Sequence, residues 1–344
     1  MSDYKISLIP GDGIGPEITE ATLRVLSSVQ EKLGLSLEVV KLDAGDACFE
    51  NRGVALPEET VKEIENSHVC LKGPVGETAA DVIVKLRMMF DLYANIRPIK
   101  SYPGVPCFRE DIDILFVREN TEGLYKGLEF KLNKDVALGL RVITRKGCRR
   151  IAQKAFKEAL KREGNKVTAV HKANVLKKTC GLFKEVCQEV AKNYPAISFN
   201  QNYVDAASMW LIKQPQNYDV IVTTNLFGDI LSDEAAQLVG GLGMAPGGNI
   251  GDDFALFEPI HGSAPTLVGT HRANPCSMIL ASKMMLGWLS EKYQDPACSE
   301  AAMAIETGVK EALRKGLTVS GLGGELTTLE MSSAIAHQIE KAYL

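Results

Sequence analysis

Two aspartates four residues apart stand in the stretch Asn225-Leu-Phe-Gly-Asp229-Ile-Leu-Ser-Asp233, which follows an apolar strand signal at Val220–Thr224 and opens a helical one. On a helix that spacing puts both carboxylates on one face, at the carboxyl end of the strand, where a hard divalent cation can be held. The alternative is ordinary: Asp229 caps the helix and Asp233 is a solvated acid favoured by the helix dipole. A third carboxylate, Asp205, ends the strand signal Phe199–Val204 and opens the helical run Ala206–Lys213. Three oxygen donors at strand ends suit Mg2+ or Mn2+, which take a few protein ligands and keep positions for water and substrate.

Arg87, Arg97 and Arg118 surround a helix signal (Ala79–Met89) and two strand signals (Leu92–Ile96 and Ile112–Val117). Guanidinium forks are the preferred partners of carboxylates, and a dicarboxylic substrate needs two or three of them. Taken singly, each reads first as a surface ion pair. Lys172 follows the apolar run Val167–Val170, and Tyr125 follows Arg118-Glu-Asn-Thr-Glu-Gly-Leu. A lysine with a lowered pKa can accept a proton, and a tyrosine can deliver one to an enolate.

Gly11-Asp-Gly-Ile-Gly-Pro16 invites a dinucleotide reading, but its spacing is G-x-G-x-G and Pro16 marks a helix start. It is read as a tight turn with little or no ligand contact. The better cofactor loop is His261, Gly262, Ser263, Ala264 and Pro265, continuing through Thr266 to Asn274-Pro275 and rich in groups able to hydrogen-bond an adenine.

These residues need a frame. Short β-branched runs at Lys5–Ile9, Leu37–Leu42, Val69–Lys72 and Lys166–His171 alternate with amphipathic ones at Pro16–Leu33, Pro57–Asn66 and Leu176–Asn193, which predicts an α/β fold. A glycine-rich stretch, Gly240–Gly251, is followed by helical patterns at Ser277–Glu291, Ser299–Lys315 and Leu329–Tyr343. Those helices need a sheet to cover. They are therefore expected to return to the N-terminal strands, giving one domain from 1–98 and 250–344 with 99–249 inserted as a second. The cleft between the two is the default site. Tyr125–Val142 alternates polar and apolar residues with no helix partner, so it is either an arm that pairs with a second subunit or a solvent-exposed hairpin.

Composition narrows the field. The chain has 344 residues, 45% of them hydrophobic, enough for one large core or two smaller ones. Its net charge is −4 with lysine and arginine scattered, which argues against a nucleic-acid binder. Eight cysteines without a C-x-x-C spacing are expected to be buried thiols in a reducing compartment. The apolar stretch before Pro10 is too short for a signal sequence, and no run approaches the roughly 18 apolar residues of a membrane span. A cytoplasmic protein is expected.

Ile9-Pro-Gly-Asp-Gly-Ile-Gly-Pro-Glu17, Leu92-Tyr-Ala-Asn-Ile-Arg-Pro98, Val117-Arg-Glu-Asn-Thr-Glu-Gly-Leu-Tyr125, His171-Lys-Ala-Asn-Val175, Asn225 to Asp233 and Glu258-Pro-Ile-His-Gly-Ser-Ala-Pro265 occur in this order. Together they resemble the β-decarboxylating dehydrogenases, which include 3-isopropylmalate, isocitrate and homoisocitrate dehydrogenases, over essentially the whole chain. The resemblance implies a two-domain α/β fold with a large shared mixed sheet, unlike a Rossmann fold, and an obligate homodimer with interlocking arms, with a tetramer as the larger alternative. It implies that Arg87, Arg97 and Arg118 hold the malate carboxylates and that Asp229 and Asp233, with Asp205 from the partner subunit, hold Mg2+ or Mn2+. Lys172 and Asn174 are implied to reach in from the partner, with Lys172, through water or Asp205, as base and Tyr125 as the acid that protonates the enolate.

In this resemblance the substituent on the substrate's third carbon is met just before Arg87, where the chain has Ile83 and Val84, with Val175 opposite. An apolar lining favours an alkyl group, because an unpaired carboxylate there is costly to desolvate. The expected substrate is 3-isopropylmalate, with 3-methylmalate as a second; Asp81 and Lys85 keep isocitrate and homoisocitrate as alternatives. The cofactor loop departs from the family pattern: Thr266 and Leu267 stand where NAD enzymes carry an acid, and Gly321 stands where an aspartate is expected. His271 and Arg272 could meet a 2′-phosphate, so NAD is placed ahead of NADP on family habit alone. A non-catalytic regulatory subunit is the competing class, and intact Tyr125, Lys172 and aspartates argue against it.

Overall fold

The computed structural model describes residues 3–79 and 81–342. Ala80, within the expected Ala79–Met89 helix, and Tyr343, at the end of the expected Leu329–Tyr343 helix, lie outside them.

Twelve strands are present among the described residues: β1 Asp3–Ile9, β2 Ser36–Lys41, β3 Val69–Lys72, β4 Ala94–Lys100, β5 Asp113–Glu119, β6 Glu129–Asn133, β7 Val136–Gly139, β8 Lys166–His171, β9 Ser198–Tyr203, β10 Val220–Thr223, β11 Pro246–Ile250 and β12 Ala255–Pro259. The helices are α1 Gly15–Leu33, α2 Asp46–Arg52, α3 Glu58–Glu65, α4 Asp81–Met89, α5 Arg145–Ala159, α6 Thr179–Ala191, α7 Val204–Lys213, α8 Asn225–Leu238, α9 Cys276–Tyr293, α10 Pro296–Arg314 and α11 Thr328–Ala342.

Ten strands form one sheet in the order β2-β1-β3-β12-β11-β4-β5-β10-β8-β9. The outer strands pair in parallel, while β12, β11, β4 and β5 pair antiparallel to one another. The fold is α/β, as the strand rhythm predicts, and its sheet is mixed, as the resemblance implies, and not the all-parallel sheet of a Rossmann domain. β6 and β7 form a separate antiparallel hairpin whose residues are all exposed.

Side-chain alternation gives the sheet two faces. On one face Ile6, Leu8, Leu71 and Phe257 pack with α1, α9, α10 and α11, and Ile96, Val117, Val167 and Val222 pack with α5 and α6. On the other face Ile9, Cys70 and Leu256 pack with α4, and Ile99, Phe116 and Ile221 pack with α7 and α8. Between those last two cores, the same face of β3, β12, β11, β4 and β5 carries Lys72, Glu258, Asn249, Asn95, Arg97 and Arg118, all buried. The charged cleft therefore lies at the middle of the sheet, where strand direction reverses.

Two differences from the sequence expectations concern this middle. The glycine-rich stretch contains β11, a central strand, although proline and glycine are depleted in strands. Its glycines are used: a Cβ on Gly248 would lie 2.7 Å from the Phe257 ring. The strand expected at Leu92–Ile96 is instead Ala94–Lys100, tolerating Pro98. All eight cysteines are free, seven of them buried.

Candidate active site

The site is assembled around the first turns of α8. Asn225 is buried, and its Oδ1 accepts from Arg118 Nε at 3.0 Å and Nη2 at 2.6 Å. A Cβ on Gly228 would lie 2.7 Å from Arg118 Cγ, so glycine is required for the arginine to pass against the helix. Arg118 then donates from Nη1 to Asp229 Oδ1 at 2.5 Å. Arg97 donates to Asp229 Oδ1 at 3.1 Å, to Asp233 Oδ1 at 3.1 Å and to Ser232 Oγ at 2.8 Å. The Tyr125 hydroxyl donates to Asp229 Oδ2 at 2.5 Å.

Burial works against ionised Asp229, but the Arg118 and Arg97 charges outweigh it and hold its carboxyl below the ordinary range. For Asp233 burial wins, helped by the neighbouring Asp229, and its carboxyl is pushed up. Burial, then the Asp229 contact, raises the Tyr125 hydroxyl. Burial and the adjacent Arg97 and Arg87 lower Arg118, a guanidinium that nonetheless stays protonated at neutral pH.

Behind these groups Arg87 joins a buried polar layer whose Lys72, Asn249 and Glu258 sequence reasoning left without a role. Lys72 Nζ donates to Glu258 Oε2 at 2.9 Å and to the Gly73 carbonyl at 2.9 Å. Arg87 Nη2 lies 3.3 Å from Glu258 Oε1, and Arg87 Nε donates to Asn249. Burial opposes a charge on Glu258, yet Lys72 and Arg87 bring its carboxyl down to about 2. A polar residue ending an apolar run was the available signal, in Val-Cys-Leu-Lys72 and Ala-Leu-Phe-Glu258.

A cavity of about 410 Å3 joins the arginines to the cofactor loop, lined by Val75, Ile83, Arg87, Arg97, Glu258 and the stretch His261–Pro265. Val75 is a second apolar wall beside Ile83 that the sequence did not suggest. Val84, half-buried, is absent from this lining, and Val175 is 66% exposed elsewhere on the surface. Within one chain this cavity thus has Ile83 but not the other two side chains expected to line the substrate pocket.

Lys172 and Asp205 form a separate group: Nζ lies 2.6 Å from Asp205 Oδ1, and that contact holds the Asp205 carboxyl below its ordinary value. Asn174 beside them is exposed. Among the described residues no three His, Cys, Asp or Glu side chains cluster as a metal cage, so Asp205 does not complete the Asp229–Asp233 pair within one chain. The pair itself fits a hard cation: two carboxylates one helical turn apart, Asp229 held ionised and the Asp233 side chain 47% exposed.

The cofactor loop brings all five of its expected leading residues to the cavity wall. His261 fits a bound group there: its Nε2 is buried with no hydrogen-bond partner among the described residues, while its Nδ1 lies 2.9 Å from the carbonyl oxygen of exposed Gly262. Ala264 takes a left-handed backbone, φ +43°, unusual for a residue with a Cβ, and so turns the chain into Pro265. Thr266 is exposed, whereas Asn274 Oδ1 accepts from Cys276 N at 3.0 Å and so is engaged by the start of α9. The Gly11–Pro16 turn, read from sequence as a tight turn, packs against this loop. Ile14 N donates to Ser263 O at 2.9 Å, and a Cβ on Gly13, at φ +59°, would collide with that oxygen. Asp12 accepts from Asp46 N at 2.7 Å, Ala47 N at 3.0 Å and Gly76 N at 2.8 Å, fastening α2 and the loop before α4.

A mixed α/β sheet with paired arginines and aspartates at its point of reversal suits an acidic ligand, and residues 5–335 match the isocitrate/isopropylmalate dehydrogenase family, to which the chain belongs. Among curated proteins it is 52% identical over 340 residues to a 3-isopropylmalate dehydrogenase of Methanothermobacter thermautotrophicus, covering 99% of this chain and 100% of the relative. It is 50% identical to a 3-isopropylmalate/3-methylmalate dehydrogenase of Methanocaldococcus jannaschii, covering 98% and 99%. A solved isocitrate dehydrogenase from Methylococcus capsulatus superposes with a TM-score of 0.92 at 44% identity, covering 98% of this chain and 99% of that one. Among the described residues no helix is long and apolar enough to cross a membrane.

Proposed function

We propose that the chain oxidises 3-isopropylmalate at its hydroxyl carbon and removes one carboxylate as CO2, giving 2-oxo-4-methylpentanoate for leucine synthesis, with 3-methylmalate as a second substrate. The observation that carries this reading is the cavity wall: Val75 and Ile83 offer alkyl surface next to Arg87 and Arg97. Lys72, the remaining cation of that wall, is neutralised by Glu258. A third carboxylate would meet no free cation there. The names of the archaeal relatives agree with this choice.

Arg87, Arg97 and Arg118 bind and orient the malate carboxylates. Lys172 of a second copy, through Asp205 or water, accepts the hydroxyl proton as the hydride leaves. After CO2 departs, Tyr125 protonates the enolate carbon. Asp229 and Asp233, with Asp205 of a second copy, would hold a divalent cation able to supply Lewis acidity toward the substrate, and His261, Gly262, Ser263, Ala264 and Pro265 would hold NAD, the hydride acceptor. NAD is placed ahead of NADP, with exposed Thr266 and His271–Arg272 leaving room for a 2′-phosphate.

The dimer belongs to the same proposal. Phe130, Leu132, Leu138 and Leu140 on the hairpin, with Val175 and Ile230 elsewhere, are large apolar side chains left exposed by one chain. Residues 1–98 and 250–344 are taken as the cofactor-binding domain and 99–249 as the inserted one.

Steady-state rates with 3-isopropylmalate, 3-methylmalate, isocitrate and homoisocitrate, each with NAD and NADP plus Mg2+, test this reading. The highest kcat/KM is expected for 3-isopropylmalate; a higher one for isocitrate overturns the substrate choice.

A further inference from the structure

Asn249 is fully buried on the active face of β11 and touches no part of the proposed metal or cofactor sites, yet it hydrogen-bonds four side chains of the cleft. Its Oδ1 accepts from Arg87 Nε at 2.9 Å, Asn95 Nδ2 at 2.7 Å and Asn120 Nδ2 at 2.9 Å. Its Nδ2 donates to Glu258 Oε1 at 2.8 Å. Three donors on one carbonyl oxygen exceed its two lone pairs, a crowding that a charge-assisted guanidinium contact helps to sustain.

Asn95 carries the connection onward, since its Oδ1 accepts from Arg97 Nε at 2.7 Å. A continuous chain, Arg87 to Asn249 to Asn95 to Arg97, therefore fixes the Nε ends of two guanidinium forks relative to each other. For Arg87, Nε is spent on Asn249 and Nη2 on Glu258, and no hydrogen bond among the described residues occupies Nη1. Nη1 is also absent from the buried, unpartnered atoms, and Arg87 lines the cavity. That nitrogen is the one left for a ligand oxygen.

We infer that Asn249 is a positioning residue: it orients Arg87 relative to Arg97 so that both forks meet the carboxylates of one substrate. This rests on the hydroxy-dicarboxylate reading above. A misaligned fork weakens binding in the ground and transition states alike, so the loss falls on KM more than on kcat.

The experiment is steady-state kinetics on the full-length enzyme for N249A, N249D, R87K and the N249A/R87K pair. N249A is expected to raise the KM for 3-isopropylmalate at least about tenfold while kcat and the KM for NAD change less than about threefold. N249D keeps the acceptor for Arg87 Nε but turns a second oxygen toward Glu258. Its KM is expected to stay within about threefold of wild type although its Tm falls. In the R87K background, N249A is expected to add no comparable further rise, because it acts through that arginine. An unchanged KM in N249A, equal KM increases in N249A and N249D, or fully multiplicative effects in the pair overturns the inference. If N249A does not fold, N249S takes its place in the same comparison. Wild-type enzyme with no turnover on any malate derivative overturns the proposed function instead.

Discussion

The Tyr125 hydroxyl donates to Asp229 Oδ2 at 2.5 Å while the other oxygen of the same carboxylate takes Arg97 and Arg118. The proposed proton donor is thus tethered to a carboxylate expected to hold the metal, and burial with Asp229 keeps the hydroxyl protonated through neutral pH. Y125F should lower kcat by about 10²- to 10⁴-fold with little change in KM, the usual size of a general-acid contribution. Unchanged kcat with raised KM would mean that Tyr125 merely steadies Asp229.

Buried Glu258 gives the fold an acid limit. Its carboxyl lies at about 2 in the folded chain against an ordinary 4.5, because Lys72 and Arg87 outweigh burial. A depressed carboxyl stabilises the fold above the unfolded value, and that contribution is lost as pH falls from 4.5 toward 2. E258Q should cost about 3–5 kcal/mol at pH 7, since it strands buried Lys72, and should flatten the pH dependence across that acid window. Urea melts of both proteins from neutral pH downward measure it; parallel slopes would assign the acid limit elsewhere.

How much was legible follows from which physical signal each part leaves. The outer strands and long helices announce themselves because each has one apolar face of fixed period. The centre of the sheet does not: β11 is Pro-Gly-Gly-Asn-Ile, chosen for close approach to Phe257 and for Asn249, and it reads as a loop. Charged residues were easiest to find when they opened a helix, as Asp229 and Asp233 do. Lys72 and Glu258 end apolar strands and meet only when β3 and β12 pair, a contact 186 residues apart in sequence. The separation of Lys172–Asp205 from Asp229–Asp233 is a matter of three-dimensional placement that motif order alone does not encode.

Arg97 holds Asp229 and Asp233 with one fork, through one oxygen of each, which leaves further lone pairs on both carboxylates for a cation. Mn2+ at about a hundred times its Kd should stabilise the protein by about 2.7 kcal/mol, seen as a rise in Tm that EDTA reverses. D233N should abolish the rise. A shift that survives in D233N would place the cation at another site.

The alkyl pocket makes a graded prediction. Ile83 lines the cavity beside Val75, and shortening it removes surface that only the larger substituent of 3-isopropylmalate reaches. I83A should reduce kcat/KM for 3-isopropylmalate by about 10- to 200-fold and that for 3-methylmalate by less, the range expected for lost methylenes in a pocket. Equal losses on the two substrates would remove Ile83 from the specificity wall.

Lys172 and Asp205 pair with each other away from the Asp229–Asp233 carboxylates, and the large apolar side chains of the hairpin are exposed in one chain. If each site takes Lys172 from a second copy, K172A and D229N should each be inactive alone. Mixed, unfolded together and refolded, they should form heterodimers in which one site carries both lesions and the other carries neither. Random pairing in a two-fold dimer then restores about a quarter of the wild-type sites. Introducing F130D and L138D into both chains should remove that recovery and yield monomers by light scattering. A mixture that stays inactive while forming heterodimers would instead put Lys172 and Asp229 to work within a single chain.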